Sequence, residues 1–221
     1  MSMLLIYDAE NYEYILQPAG YGLLALLLIG LLLSIRLFGK NESSVPMKTK
    51  QLVFCAVSIA LATVTSFIKL ASLPFGGSIT LFSMFFVSLI GYFYGTKTGL
   101  ITGVAYGVLQ LITGPYIYAP LQVIFDYPLA FGALGLSGFF RHKKHGLVIG
   151  YIAGVTGRYL CHVISGYIFF AEFAPEGMNP LVHTLSYNLT YILPEMLVTV
   201  LILYIPAVYQ AVGQVKRQAC A

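Results

Sequence analysis

The chain reads as an all-α polytopic membrane protein, and three observations carry that reading. Apolar residues make up 58% of the 221 positions and charged residues only 9%, against about 25% charged in soluble domains. The apolar residues form near-continuous runs of about 17–25, the length of a helix that crosses hydrocarbon, whereas a β-barrel would alternate over shorter segments. The basic residues fall between the runs and, in a seven-span reading, on one side of the membrane.

Each element follows in order. Residues 1–18 are short and acidic, with Asp8, Glu10 and Glu13; lacking the basic start of a signal peptide, they read as an external tail. Residues 19–37 form a first span, and Arg36, Lys40, Lys48 and Lys50 mark its end as cytoplasmic. The second span, 51–72, carries the small residues Ala56, Ala60 and Ala62, a face that admits a close helix neighbour. An external turn at 73–78 leads to spans at 79–94 and 99–113, joined at Gly95-Thr96-Lys97. Gly99, Gly103 and Gly107 recur every fourth residue, a second close-packing stripe. After the loop Gly114-Pro115-Tyr116-Ile117-Tyr118-Ala119-Pro120 comes the fifth span, 121–140, and then the basic run Arg141-His142-Lys143-Lys144-His145. Spans at 147–170 and 181–209 complete the set, separated by an acidic loop and followed by Lys216 and Arg217. With the N-terminus outside and the C-terminus cytoplasmic, ten of the twelve Lys and Arg lie inside; Lys69 and Arg158 fall within spans. The chain divides into 1–48 (tail, first span, basic linker), a membrane domain at 49–210 and a cytoplasmic tail at 211–221.

Chemistry concentrates around Asp126. A carboxylate inside a membrane helix costs roughly 2.5–3.5 kcal/mol on insertion scales, which marks it as a functional candidate. Tyr116, Tyr118 and Tyr127 stand close by in sequence. A carboxylate among aromatic faces suits an organic cation, through both charge and ring quadrupole. At 1.5 Å per residue, His162 and Asn188 reach the depth of Asp126 from two other spans, with Thr184 and Tyr191 a turn either side of Asn188. Several polar groups at one level point to a pocket open to the outside. Deeper, Arg158 and Glu195 are expected to pair as a structural ion pair, with a coupling-ion or proton site as the rival reading. Cys55, Cys161 and Cys220 are scattered, so neither a disulfide framework nor a metal site is expected. The net charge of +4 sits in loops and does not indicate a nucleic-acid partner. No P-loop, GxSxG or HExxH is present, so the chain is neither a P-loop ATPase nor an evident enzyme.

The run 99–140 (GLITGVAYGVLQLITGPYIYAPLQVIFDYPLAFGALGLSGFF) closely resembles the thiamine-specific substrate-binding (S) subunits of energy-coupling-factor transporters, the ThiT family. The turn PFGGSIT and the segments RYLCHVISGYIFF and SYNLTYILPE are similar to the same family. The resemblance covers roughly 50–210 and implies a six-helix S-component core, to which the first span is an extra N-terminal transmembrane helix. It implies high-affinity capture of thiamine from outside, in a prokaryotic plasma membrane. The implied partners are a transmembrane T subunit and two cytoplasmic ATPase subunits, which use the ATP; no cofactor is bound by this chain. Carried over residue by residue, Asp126 meets the thiazolium cation with Tyr127 as an aromatic wall. Tyr116 or Tyr118 is the loop tyrosine, and His162 and Asn188 hydrogen-bond the pyrimidine ring or hydroxyethyl tail. Ala56 and Ala60 face the T subunit. The chain departs from its relatives in having no Trp: Phe170 stands where one stacking ring is expected, a glycine near Gly77 replaces another, and His183 replaces a common tyrosine. The alternative is a self-sufficient ion-coupled secondary transporter for an organic cation. No inverted repeat or pair of broken helices supports it.

Overall fold

The computed structural model describes residues 5–8, 10, 13–19, 22 and 47–221. The expected first span, 19–37, lies outside the described residues except at positions 19 and 22, as do Arg36 and Lys40 of the basic linker. The tail is not featureless: β1 (Leu5–Asp8) pairs antiparallel with β2 (Glu13–Leu16), Leu5 opposite Leu16. Both segments are rich in the β-branched and aromatic residues that favour strands.

Among the described residues seven longer helices follow. They are α1 (Thr49–Ser66), α2 (Ser83–Tyr94), α3 (Thr96–Thr113), a composite α4 (Pro120–Phe140), α5 (Gly146–Phe169), α6 (Pro180–Leu203) and α7 (Pro206–Cys220). Four of them, α1, α4, α5 and α6, are long and apolar enough to cross a membrane, and α2 is a shorter apolar helix. This is a multi-pass membrane protein built on α-helices. Several helices begin where local chemistry dictates. Pro120, Pro180 and Pro206 each occupy the first turn, where the missing N–H would have no helical partner. Asn179 caps α6 by accepting from Leu181 N at 2.8 Å.

The glycine stripe of α3 packs against α4. A Cβ at Gly103 would lie 2.2 Å from the Phe131 carbonyl oxygen, and one at Gly107 would lie 2.4 Å from that of Tyr127. Only hydrogen side chains let these backbones meet. The core beside this seam holds Met84, Val87, Tyr106, Phe131, Leu134 and Tyr151.

Four boundaries differ from the sequence reading. α1 ends at Ser66, and residues 71–72 pair with 78–79 as a small hairpin. Lys69 therefore lies beyond the helix, exposed, rather than inside a span. Span three starts at Ser83 rather than 79, because Phe82 takes a left-handed conformation (φ 62°) before it. Only Gly95, at φ 98°, separates α2 from α3; positive φ is open to glycine at little cost. The last span is interrupted after Leu203, and Pro206 starts a separate amphipathic helix.

α7 folds back onto one end of the bundle. Tyr94 donates to the Ala219 carbonyl at 3.1 Å, and the Cys220 thiol to that of Phe93 at 3.4 Å. Lys216 Nζ donates to the Arg141 carbonyl at 2.9 Å and sits 3.6 Å above the Tyr92 ring. Burial is the main cause holding the Lys216 ammonium below the ordinary lysine value. The start of α1, the α2–α3 turn, the end of α4 and α7 thus share one end, which gathers Lys97, Arg141, Lys216 and Arg217.

Candidate ligand-binding site

The opposite end holds a cavity of about 210 Å³. Asp126 faces it from α4, and the local backbone is irregular there. α4 runs α-helical over Pro120–Ile124, widens to a π turn over Phe125–Leu129, and tightens to 3₁₀ over Leu134–Phe140. Pro128 has no N–H to give the carbonyl four residues back. The ladder reconnects with Ala130 N–H donating to Phe125 carbonyl, five residues back. Such π insertions often mark functional sites, and nothing in the apolar run 121–140 except Pro128 signalled it.

Two side chains hold the Asp126 carboxylate. Gln122 Nε2 donates to Oδ2 at 2.6 Å, and His162 Nδ1 lies 3.0 Å from Oδ1. Asp126 keeps 16% of its side chain exposed and His162 12%. Among the described residues no Lys or Arg side chain pairs with this carboxylate. Each carboxylate oxygen accepts two hydrogen bonds, so each retains capacity for a ligand.

The expected residues converge on the cavity, with one exception. Tyr116, Asp126, Tyr127, His162, Phe170, His183 and Asn188 all line it. Tyr118 is not among the lining residues: its ring rests 5.1 Å from that of Phe170, and its hydroxyl donates to the Glu172 carboxylate. Of the two loop tyrosines, Tyr116 is the one on the cavity. The Tyr127 hydroxyl accepts from Tyr116 N at 2.7 Å and so ties the loop to α4. Asn188 is strapped in place. Its amide donates to the Thr184 carbonyl at 2.8 Å and its Oδ1 accepts from Tyr191 at 2.6 Å, leaving Oδ1 one further lone pair.

The mouth is aromatic. Phe75 lies 4.8 Å from Phe173 and 6.3 Å from Phe170, and Phe170 lies 6.1 Å from Tyr116. Tyr187 donates to the Pro74 carbonyl and accepts from Gly77 N at 3.2 Å, pinning the outer turn over the cavity. Phe75, Phe173, Tyr187, Gln122 and Gly166 also line the site and escaped the sequence reading. Gln122 was detectable, because it stands one turn before Asp126. Gly166 similarly follows His162 by one turn, and a Cβ there would strike Thr184 Oγ1.

The expected Arg158–Glu195 pair does not form. Glu195, 4% exposed, accepts from Thr80 Oγ1 at 2.7 Å and from Ser83 Oγ and Met84 N at 3.2 Å. It caps α2 from a neighbouring helix, satisfying the Met84 amide that the first turn leaves open. Arg158 instead donates through Nε to His162 Nε2 at 3.3 Å and lies 4.3 Å over the Phe131 ring. Three neutral donors made a counter-ion for Glu195 unnecessary. The small-residue face also splits: Ala62 is fully buried, where Tyr106 donates to its carbonyl at 3.2 Å, but Ala56 and Ala60 are exposed beside Val53, Val57 and Leu61.

The sequence profile of the thiamine transporter protein family (Thia_YuaJ) matches residues 52–213. The chain belongs to that family. Residues 1–51 lie outside the match. The thiamine transporter ThiT of Bacillus subtilis (strain 168) is 32% identical over 169 residues, 69% of this chain and 88% of that protein. ThiT of Lacticaseibacillus paracasei is 32% identical over 103 residues, 41% of this chain and 51% of its own length. A solved structure of ThiT from Listeria monocytogenes superposes with a TM-score of 0.59 at 27% identity, covering 69% of this chain and 90% of that one. The thiamine transporter family is one of transporters, not enzymes, and its matched region contains every residue of the cavity described above.

Proposed function

We propose that this chain is the high-affinity thiamine-capturing subunit of an ATP-driven energy-coupling-factor importer, loading from the outer side. The observation that carries the proposal is the Asp126 carboxylate, held by Gln122 and His162 and turned toward a cavity rimmed with aromatic rings. Thiamine carries a thiazolium cation for the carboxylate and flat rings for Phe170, Tyr116 and Tyr127. His162 and Asn188 supply directional hydrogen bonds to its pyrimidine or hydroxyethyl groups, and His183 completes the wall. The exposed Ala56 and Ala60 face is the surface for the transmembrane T subunit, and a pair of ATPase subunits drives release. The basic end faces the cytoplasm and the cavity the outside, following the positive-inside rule.

Calorimetric titration of the purified protein with thiamine tests the ligand. Saturable one-to-one binding is expected, and heat indistinguishable from dilution would end the proposal. Uptake by proteoliposomes separates the two driving forces. Transport requires ATP and the partner subunits; uptake by this chain alone on an ion gradient would replace the importer reading with an ion-coupled one.

A further inference from the structure

We infer that Arg158 is a positioning residue that holds His162 as the neutral, Nδ1-protonated tautomer, so that the ring donates to Asp126 and adds no positive charge of its own beside the ligand. The consequence for binding rests on the thiamine reading; the geometry does not. Arg158 is one turn before His162 on α5, and its Nε lies 3.3 Å from His162 Nε2. A guanidinium N–H can only donate, and Arg stays protonated in proteins. His162 Nε2 must therefore accept, which requires a bare nitrogen there. The ring proton then belongs on Nδ1, where it donates to Asp126 Oδ1 at 3.0 Å.

The other two states each fail at one contact. An Nε2–H tautomer sets N–H against N–H at Arg158, and sets the lone pair of Nδ1 against a carboxylate oxygen. An imidazolium satisfies Asp126 but again opposes two donors at Arg158. Only the Nδ1–H tautomer satisfies both neighbours. The ring cannot easily turn away, because its edge packs against Tyr191 at 6.1 Å and 74°. Arg158 is itself held, 4.3 Å over the Phe131 ring.

The protonation of the ring sets its share of the charge at the site. With a neutral ring, Asp126 and the Arg158 guanidinium, which also lines the cavity, sum to zero; an imidazolium would add a positive charge that repels a cation. This ordering, in which one side chain sets the tautomer of a second that orients a third, is the general logic of histidine hydrogen bonding.

The test is nitrogen NMR on the full chain in nanodiscs, labelled with ¹⁵N-histidine, without thiamine and at neutral pH. The chain has four histidines, and a His162→Gln sample assigns the signal of interest. The expected signature is a protonated, pyrrole-type Nδ1 and a bare, pyridine-type Nε2. An imidazolium or Nε2–H signature in the wild type overturns the inference. Arg158→Lys keeps a donor and is expected to preserve the signature. Arg158→Met removes it, and should move the ring to mixed or charged states while the Kd for thiamine rises on the order of tenfold. An unchanged tautomer in Arg158→Met overturns the inference as well. Should Arg158→Met not fold, the wild-type and Arg158→Lys spectra decide. The expected tautomer in a protein that binds no thiamine upholds the Arg158 role and removes the ligand assignment instead.

Discussion

Replacing the Asp126 carboxylate with an amide keeps its shape and removes the charge that a cation would meet. It also sets an NH₂ against one of two donors, Gln122 or His162. Asp126→Asn is expected to weaken thiamine binding by about 2–3 kcal/mol, roughly 30–150-fold, measured by calorimetry. Glu195→Gln should behave in the opposite way. Its amide would face one of three donors that cap α2, which costs about 1–3 kcal/mol of stability. Chemical denaturation should register that loss while the thiamine Kd changes less than threefold. Residue identity alone drew attention to both carboxylates, because an ionised group in an apolar run stands out. Their partners were not legible in the same way. Arg158 and Glu195 were expected to pair on opposite charge and similar depth, yet Thr80, Ser83 and a backbone N–H reached Glu195 first. Those donors come from a turn distant in sequence, at a register no periodicity encodes.

At the scale of elements, the α3–α4 seam sets where Asp126 sits. Gly107 meets the Tyr127 carbonyl, one residue beyond Asp126, with no space for a methyl group. Gly107→Ala should cost on the order of 1–3 kcal/mol through overpacking, and because α4 must shift, thiamine binding should fall with it. A lowered melting temperature with unaltered Kd would show that the seam and the site are independent. The glycine stripe was legible from its four-residue spacing. The π turn that follows was not, because a hydrophobic run looks the same whether its ladder closes over four residues or five. The break after Leu203 has a visible cause in Pro206, but apolar residues continue past it, and the run reads as one span. What α7 does was settled by its contacts. Lys216→Met removes a bond to the Arg141 carbonyl and a cation from the Tyr92 face, with an expected loss of about 1–2 kcal/mol in stability.

For the whole molecule, most of the described basic residues lie at the end opposite the cavity, and the orientation proposed for the protein rests on that polarity. Cys220 is exposed at the basic end. A membrane-impermeant maleimide should therefore label Cys220 in inverted vesicles and leave it unlabelled in intact cells; labelling from outside would reverse the orientation. Lys69 and Arg158 both line the cavity, away from the basic end; Lys69 does so because α1 stops at Ser66 and the chain turns into a hairpin.

Membrane class, the number and order of helices over 49–203, the basic end and the Asp126, His162 and Asn188 side chains that line the cavity follow from the sequence itself. Burial in lipid demands long apolar runs, and a charge left inside such a run must have a reason. Only the tertiary structure decided which of Tyr116 and Tyr118 reaches the cavity, what holds Asp126, and that Glu195 is a cap rather than an ion-pair partner. Those outcomes depend on hydrogen bonds between residues far apart in the chain, whose competition is resolved by a few ångströms of helix register and rotation. Composition and spacing carry depth along a helix; they do not carry which neighbour arrives first.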